Sequence, residues 1–321
     1  MSSTLPRTPL DAELEAFLAV IAEQIPTVTP ELIPIMREAI LQQETTDEEL
    51  SAVGVSRRDV TIRGHDGAEL VASVIARDDH TGRGPGIYHL HGGGMIMGRK
   101  MVGVTQILPW IVEHDAVAVT IDYRLAPEFP DPYPIEDCYA GLVWTAEHAD
   151  ELGIDPEQII IAGASAGGGL AAGVALMARD RKGPSLKGQV LLCPMLDDRD
   201  LTRSSEQFTH GVPWNRASNV TGWSALLGDR RGTEHVSNYA APARATDLSD
   251  LPPAFIDCGS AEVFRDEDVA YATALWHAGV QAELQVYPGG FHGFDVVAPH
   301  SSLAQTAASA RNAWVARLLG A

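Results

Sequence analysis

Two short stretches place reactive residue types where acyl-transfer chemistry needs them. Gly163-Ala164-Ser165-Ala166-Gly167 fits the pattern G-x-S-x-G. The apolar strand-like run Gln158–Ala162 precedes it, and a small-residue helix, Gly167–Arg179, follows. A tight strand-to-helix turn pushes the serine hydroxyl outward and aims the helix N-terminus at the reacting atom. Backbone runs against backbone in such a turn, so side chains two positions either side of the serine would collide. Outside that context the pattern marks only a Gly-rich turn; within it, Ser165 reads as a nucleophile. His91-Gly92-Gly93-Gly94 follows the strand-like run Ile87–Leu90. Acyl transfer builds negative charge on a carbonyl oxygen, and each preorganised N–H donor there is worth about 3 kcal/mol. The expected donors are Gly92, Gly93 and Ala166, the residue after the nucleophile. His91 reads as an anchor for the loop. A phosphate cradle would carry G-K-[ST], and none follows.

A serine on such an elbow needs a base, and an acid to orient it, in the chain order Ser, acid, His. His292, in Pro288-Gly-Gly-Phe-His-Gly-Phe294, follows the strand-like run Glu283–Tyr287 and precedes a final helix. His277 and His300 read as surface residues. The acid is expected after the run Ala254–Cys258, where Glu262 and Asp266 compete. Asp266 has a structural reason to be there, as the N-cap or first residue of the next helix. Glu262 is therefore the favoured acid, holding the imidazole tautomer and stabilising the imidazolium.

The elements that must position these residues alternate. Residues 57–63 and 69–76 read as a hairpin around His65-Asp66-Gly67. Apolar strands then alternate with helices over 135–148, 167–179, 266–278 and 302–319, which predicts a mostly parallel sheet covered on both faces. Two amphipathic helices are expected over 10–24 and 30–43, followed by an acidic, solvated linker, Glu44–Glu49. Residues 198–250 break the alternation and read as a functional insertion. Together these divide the chain into N-terminal cap helices, 1–45, and a catalytic domain, 46–321, with a second cap segment at about 198–225. Phe208, Val212, Trp214 and Met97 are candidates for the pocket wall or for the interior of the cap.

Composition excludes other classes. The 321 residues carry a net charge of −20, which disfavours nucleic acid and anionic membrane surfaces. The three cysteines, Cys138, Cys193 and Cys258, form no CxxC or Cys/His cluster, so neither a disulfide framework nor a metal site is expected. The N-terminal stretch has no secretory pattern, and no apolar run approaches the ~18 residues of a membrane helix. A cytoplasmic location is the expectation.

The joint order of these motifs, with Asp122-Tyr-Arg-Leu-Ala-Pro-Glu128 and Arg265-Asp-Glu267, resembles the hormone-sensitive-lipase-like esterases of the α/β-hydrolase fold over residues 56–321. The resemblance implies an eight-stranded sheet with a two-part helical cap. It implies cofactor-free carboxylesterase activity on small-molecule esters of short to medium acyl chains, in proteins that often form homodimers. It also implies that Asp122–Glu128 is a structural turn near the site. One departure stands out: most members have Asp where this chain has Glu262. Lactone, amide or carbamate hydrolysis would use the same three residues, and a ligand-binding receptor could be built on the same scaffold.

Overall fold

The computed structural model describes residues 5–21 and 26–320. Its strands are β1 (Val55–Arg63), β2 (Glu69–Arg77), β3 (Gly84–Leu90), β4 (Val117–Ile121), β5 (Ile154–Ala164), β6 (Gly188–Leu192), β7 (Ala254–Gly259) and β8 (Ala282–Tyr287). They form one sheet in the order β1-β2-β4-β3-β5-β6-β7-β8. β1 and β2 are an antiparallel hairpin, β2 runs antiparallel to β4, and every later neighbour pair is parallel.

The pleat sends successive side chains to opposite faces, and both faces are apolar. Ile75, Ile87, Ala118, Ile160, Val190 and Phe255 join one buried cluster, while Val74, Tyr88, Val119, Ile161, Leu191 and Ile256 join the other. Each valine, leucine, isoleucine or phenylalanine so buried contributes about 1.5–3 kcal/mol.

The helices are α1 (Ala12–Ile21), α2 (Ile33–Ile40), α3 (Asp47–Ser51), α4 (Leu108–His114), α5 (Tyr133–Glu147), α6 (Ala149–Leu152), α7 (Ala166–Asp180), α8 (Arg203–Gln207), α9 (Arg216–Leu227), α10 (Arg265–His277), α11 (Phe294–Val297) and α12 (Ser302–Leu319). α4 and α12 cover the first face through Trp110, Ile111, Trp314 and Val315. α5, α7 and α10 cover the second through Leu142, Leu170, Val174 and Leu275.

Three local readings change. The first N-terminal helix is described only over Ala12–Ile21, and positions 22–24 of the expected span lie outside the described residues. The acidic stretch is not merely a linker: Thr46 and Glu49 form a reciprocal capping box that starts α3, whose Leu50 is buried. α4, with the sequence Leu-Pro-Trp-Ile-Val-Glu-His, is a further helix that the alternation did not announce.

The N-terminal segment and the insertion are stitched to each other. Val28 N donates to Ser218 Oγ at 2.9 Å, Thr221 Oγ1 donates to Val28 O at 2.9 Å, and Asn215 Nδ2 donates to Thr27 Oγ1 at 2.8 Å. The N-terminal segment also reaches the loops beyond β7 and β8, through Thr8 Oγ1 to Ser260 O at 2.7 Å and Asp11 N to Gly289 O at 3.1 Å. Those loops lie at the carboxyl ends of the parallel strands, where sites in open α/β sheets form.

Candidate active site

Ser165 sits between β5 and α7 with φ 56° and ψ −122°. A residue with a side chain adopts that positive φ only when its surroundings enforce it. They do so here through backbone: Ser165 N donates to Leu192 O at 2.8 Å, and Ser165 O accepts from Met195 N at 2.9 Å. The flanking glycines are sterically required. A Cβ on Gly163 would run into the backbone of Gly167, and one on Gly167 would run into the carbonyls of Leu90 and His91.

His292 lies on the loop after β8, and its Nε2 stands 2.9 Å from Ser165 Oγ. Its Nδ1 stands 2.7 Å from Glu262 Oε2. Glu262 is fully buried, and its Oε1 accepts the Gly259 amide at 2.6 Å. A buried carboxylate is costly unless its oxygens are satisfied, and both oxygens of Glu262 have a donor. The Phe264 ring meets the imidazole edge-on, 5.0 Å between centroids at 83°.

Asp266 is placed differently. It is not the N-cap: α10 begins one residue earlier, and the Asp266 carboxylate accepts from Ser204 N at 2.7 Å and Arg265 Nε at 2.8 Å. It ties the insertion to α10 and is not a partner of His292. Glu267 does similar work, its Oε1 accepting Leu196 N at 2.8 Å and Asp197 N at 3.2 Å, and burial pushes its carboxyl well above the usual range. His277 and His300 are exposed.

The loop after β3 faces the serine. The Cβ position of Gly92 lies 3.5 Å from Ser165 Cβ. Among the described residues, no backbone carbonyl takes the amides of Gly92, Gly93 or Ala166, which leaves all three free to donate. Gly93 has φ 111°, and a Cβ there would strike the Met97 carbonyl. His91 is a fixture of this loop. Its ring stacks on Tyr123 at 4.1 Å and 9°, Nδ1 donates to Gly92 O at 2.8 Å, and Tyr123 Oη donates to His91 O at 2.9 Å. Burial lowers its pKa to about 4, so the ring is neutral at physiological pH.

The turn after β4 supports the same loop. Asp122 Oδ1 accepts Lys100 N at 2.8 Å, and Arg124 forks onto buried Asp137. Glu128 takes Arg37 of α2 in a two-pronged pair at 2.9 and 2.6 Å. Arg37 also donates to Ile96 O at 2.7 Å and Ala126 O at 2.9 Å, clasping the N-terminal segment to the chain just beyond Gly94.

A cavity of about 230 Å³ opens onto Ser165 and His292. Of the four expected wall residues, Met97 and Trp214 line it, while Phe208 and Val212 are buried elsewhere. Sequence reasoning missed Ile40, Gln43, Val102, Gln106 and Val296, which also line it. They come from segments far apart in the chain and carry no shared motif.

Among the described residues, Cys193, Glu262 and His292 hold ligand-type atoms within 4.8 Å of one another. The donor set does not suit a metal. Glu262 and the facing imidazole nitrogen are spent on each other, and burial pushes the Cys193 thiol well above its ordinary pKa. All three cysteines are buried and unbonded. No described helix is long and apolar enough to cross a membrane.

The mixed sheet with its strand–serine–helix elbow defines an α/β-hydrolase, and comparison with known proteins agrees. The sequence family described as the alpha/beta hydrolase fold matches residues 87–296. Esterase LipI of Mycobacterium tuberculosis is 32% identical over 298 residues, covering 87% of this chain and 92% of that protein. Carboxylesterase NlhH of the same species is 34% identical over 269 residues, covering 82% of each. The solved structure of a bacterial heroin esterase superposes with a TM-score of 0.86 at 35% identity, covering 97% of this chain and 98% of that one. A hyperthermophilic esterase from Pyrobaculum calidifontis gives 0.85 at 31% identity, covering 98% and 100%. The chain belongs to the hormone-sensitive-lipase-like carboxylic ester hydrolases of this fold.

Proposed function

We propose that Ser165, His292 and Glu262 are the catalytic triad of a carboxylesterase that acts on small esters of short to medium acyl chains. The observation that carries the reading is the unbroken line from Ser165 Oγ through both imidazole nitrogens to Glu262, at 2.9 and 2.7 Å. His292 Nε2 takes the hydroxyl proton as Oγ attacks the ester carbonyl. The amides of Gly92, Gly93 and Ala166 receive the oxyanion. The alcohol leaves with the proton from Nε2, and Ser165 carries the acyl group. Water then gives its proton to His292, attacks the acyl-enzyme and releases the acid. Glu262 holds Nδ1–H throughout without itself taking the proton.

The cavity of about 230 Å³ supports a preference for small acyl groups. The N-terminal segment and the insertion are read as a two-part cap, because Gln43 from the first and Trp214 from the second both line that cavity. Hydrolysis of p-nitrophenyl esters from acetate to palmitate, with and without Ser165→Ala, tests the proposal. A peak at short to medium chains that drops about 10⁴-fold or more in the variant is expected. A native protein inert on every length, or a variant as active as native, would overturn it. Matched amides and lactones in the same assay would expose a different preferred bond.

A further inference from the structure

A second cavity, of about 390 Å³, lies beside the catalytic one. Thr105, Gln106 and Val296 line both, so the two share a wall. That wall is built. Gln106 Nε2 donates to Asp295 Oδ2 at 2.9 Å, and the same oxygen accepts Arg311 Nη2 at 2.7 Å. Arg311 is only 2% exposed, lines the second cavity, and has a buried Nε with no hydrogen-bond partner among the described residues. Beyond the wall the lining is largely apolar, with Pro109, Pro299, Ala304 and Ala308 contributed by α4, α12 and the chain before α12. Val296, on the crest between the cavities, is 39% exposed although its side chain is apolar.

Size distinguishes the two spaces. Pockets that enclose a small ligand usually measure about 300–1,000 Å³. The catalytic cavity alone falls below that range, and with its neighbour it falls well inside it. An apolar chain leaving Ser165 would cross the exposed face of Val296 and shed its water in the second cavity.

We propose that this second cavity is a substrate subsite that takes the distal end of an ester whose acyl or alcohol leg is apolar and too long for the catalytic cavity. The proposal rests on the triad reading above. Gln106 is its specificity-determining partition, held in place by Asp295 and Arg311.

The test fills the subsite from a position that does not line the catalytic cavity, with Ala308→Trp and the milder Ala308→Leu. kcat/KM is measured in two series, p-nitrophenyl alkanoates of rising acyl length and n-alkyl acetates of rising alcohol length. Both variants should hydrolyse the shortest member of each series as the native protein does. In one series the longer members should lose about tenfold or more in Ala308→Trp, and less in Ala308→Leu, in line with what a few methylenes are worth in an apolar pocket. An unchanged length profile in both series overturns the subsite and leaves the esterase reading intact, as does a native profile that already collapses at short lengths in both. If Ala308→Trp loses the shortest esters as well, it is misfolded and Ala308→Leu decides. A native protein inactive on the shortest esters removes the triad reading itself.

Discussion

The two sides of the site are built by different means. On the sheet side, Ser165, the Gly92–Gly93 loop and Glu262 are set by backbone hydrogen bonds and by glycines packed against carbonyls, in a region where most side chains are fully buried. On the side of the N-terminal segment, buried Leu14, Leu18, Val28 and Ile33 and the backbone bond from Asp11 N to Gly289 O are joined by more exposed side-chain clasps. The chief one, Arg37 to Glu128, has side chains 28% and 55% exposed. Close-packed interiors do not deform gradually, whereas an exposed ion pair is worth about 1 kcal/mol or less. The proposed triad therefore sits on the stiff side, and the softer side adds Ile40, Gln43 and Trp214 to a cavity wall that the sheet-side loops otherwise form.

Breaking the stiff side should have the larger consequence. Gly167→Ala puts a methyl group against the carbonyls of Leu90 and His91. Overpacking of this kind costs about 3 kcal/mol, and displacing the elbow should cost most of the activity. Urea denaturation and ester hydrolysis measure the two effects. A variant with native stability and native rate would mean that the elbow can shift without harm.

Breaking the soft side should be milder and differently distributed. Arg37→Ala removes the Glu128 pair and the bonds to Ile96 O and Ala126 O. A stability loss of about 1 kcal/mol is expected. KM should rise a few-fold, because Ile40 and Gln43 line the cavity at the end of the same segment, while kcat on the shortest ester is kept. A loss confined to kcat would contradict the division between the two sides.

A further prediction sharpens the comparison through pH. Burial lowers the pKa of His91 from 6.5 to about 4, so the folded chain resists a proton that the unfolded chain accepts. The stability carried by this difference is full above 6.5 and is lost as pH falls toward 4. His91→Phe can retain the stack on Tyr123 without the titration. Its unfolding free energy should fall less across that interval than the native protein's, and an equal fall would show that His91 is not the group responsible.

How legible this was from sequence follows the same division. Every strand was readable: the central parallel strands, buried on both faces, are continuous apolar runs, β1 and β2 flank the turn His65-Asp66-Gly67, and β8 stands out just before the His292 loop; the elbow and that loop announced themselves by glycine placed around a reactive residue. α4 was not readable: seven mostly apolar residues beginning Leu-Pro show no amphipathic period. α3 could have been found from Thr46 and Glu49, but the run of acids around them looked like solvated linker. The chamber wall was least legible. Gln43, Val102, Gln106 and Val296 come from distant segments that meet only in the folded chain, and nothing local in the sequence records that encounter. Glu262 and Asp266 were told apart in the sequence by position relative to a helix start, whereas in the structure one meets His292 and the other Ser204.

That last contrast supplies the most direct test of the central claim. The rates of Glu262→Gln and Asp266→Asn are compared with the native rate on one short ester. Loss of the triad acid should cost about 10⁴-fold in kcat, because the amide favours the wrong imidazole tautomer. Asp266→Asn should stay within about tenfold, since it loosens the tie between the insertion and α10 without touching His292. The reverse order, or two equal small losses, would contradict the assignment of Glu262 as the acid of the triad.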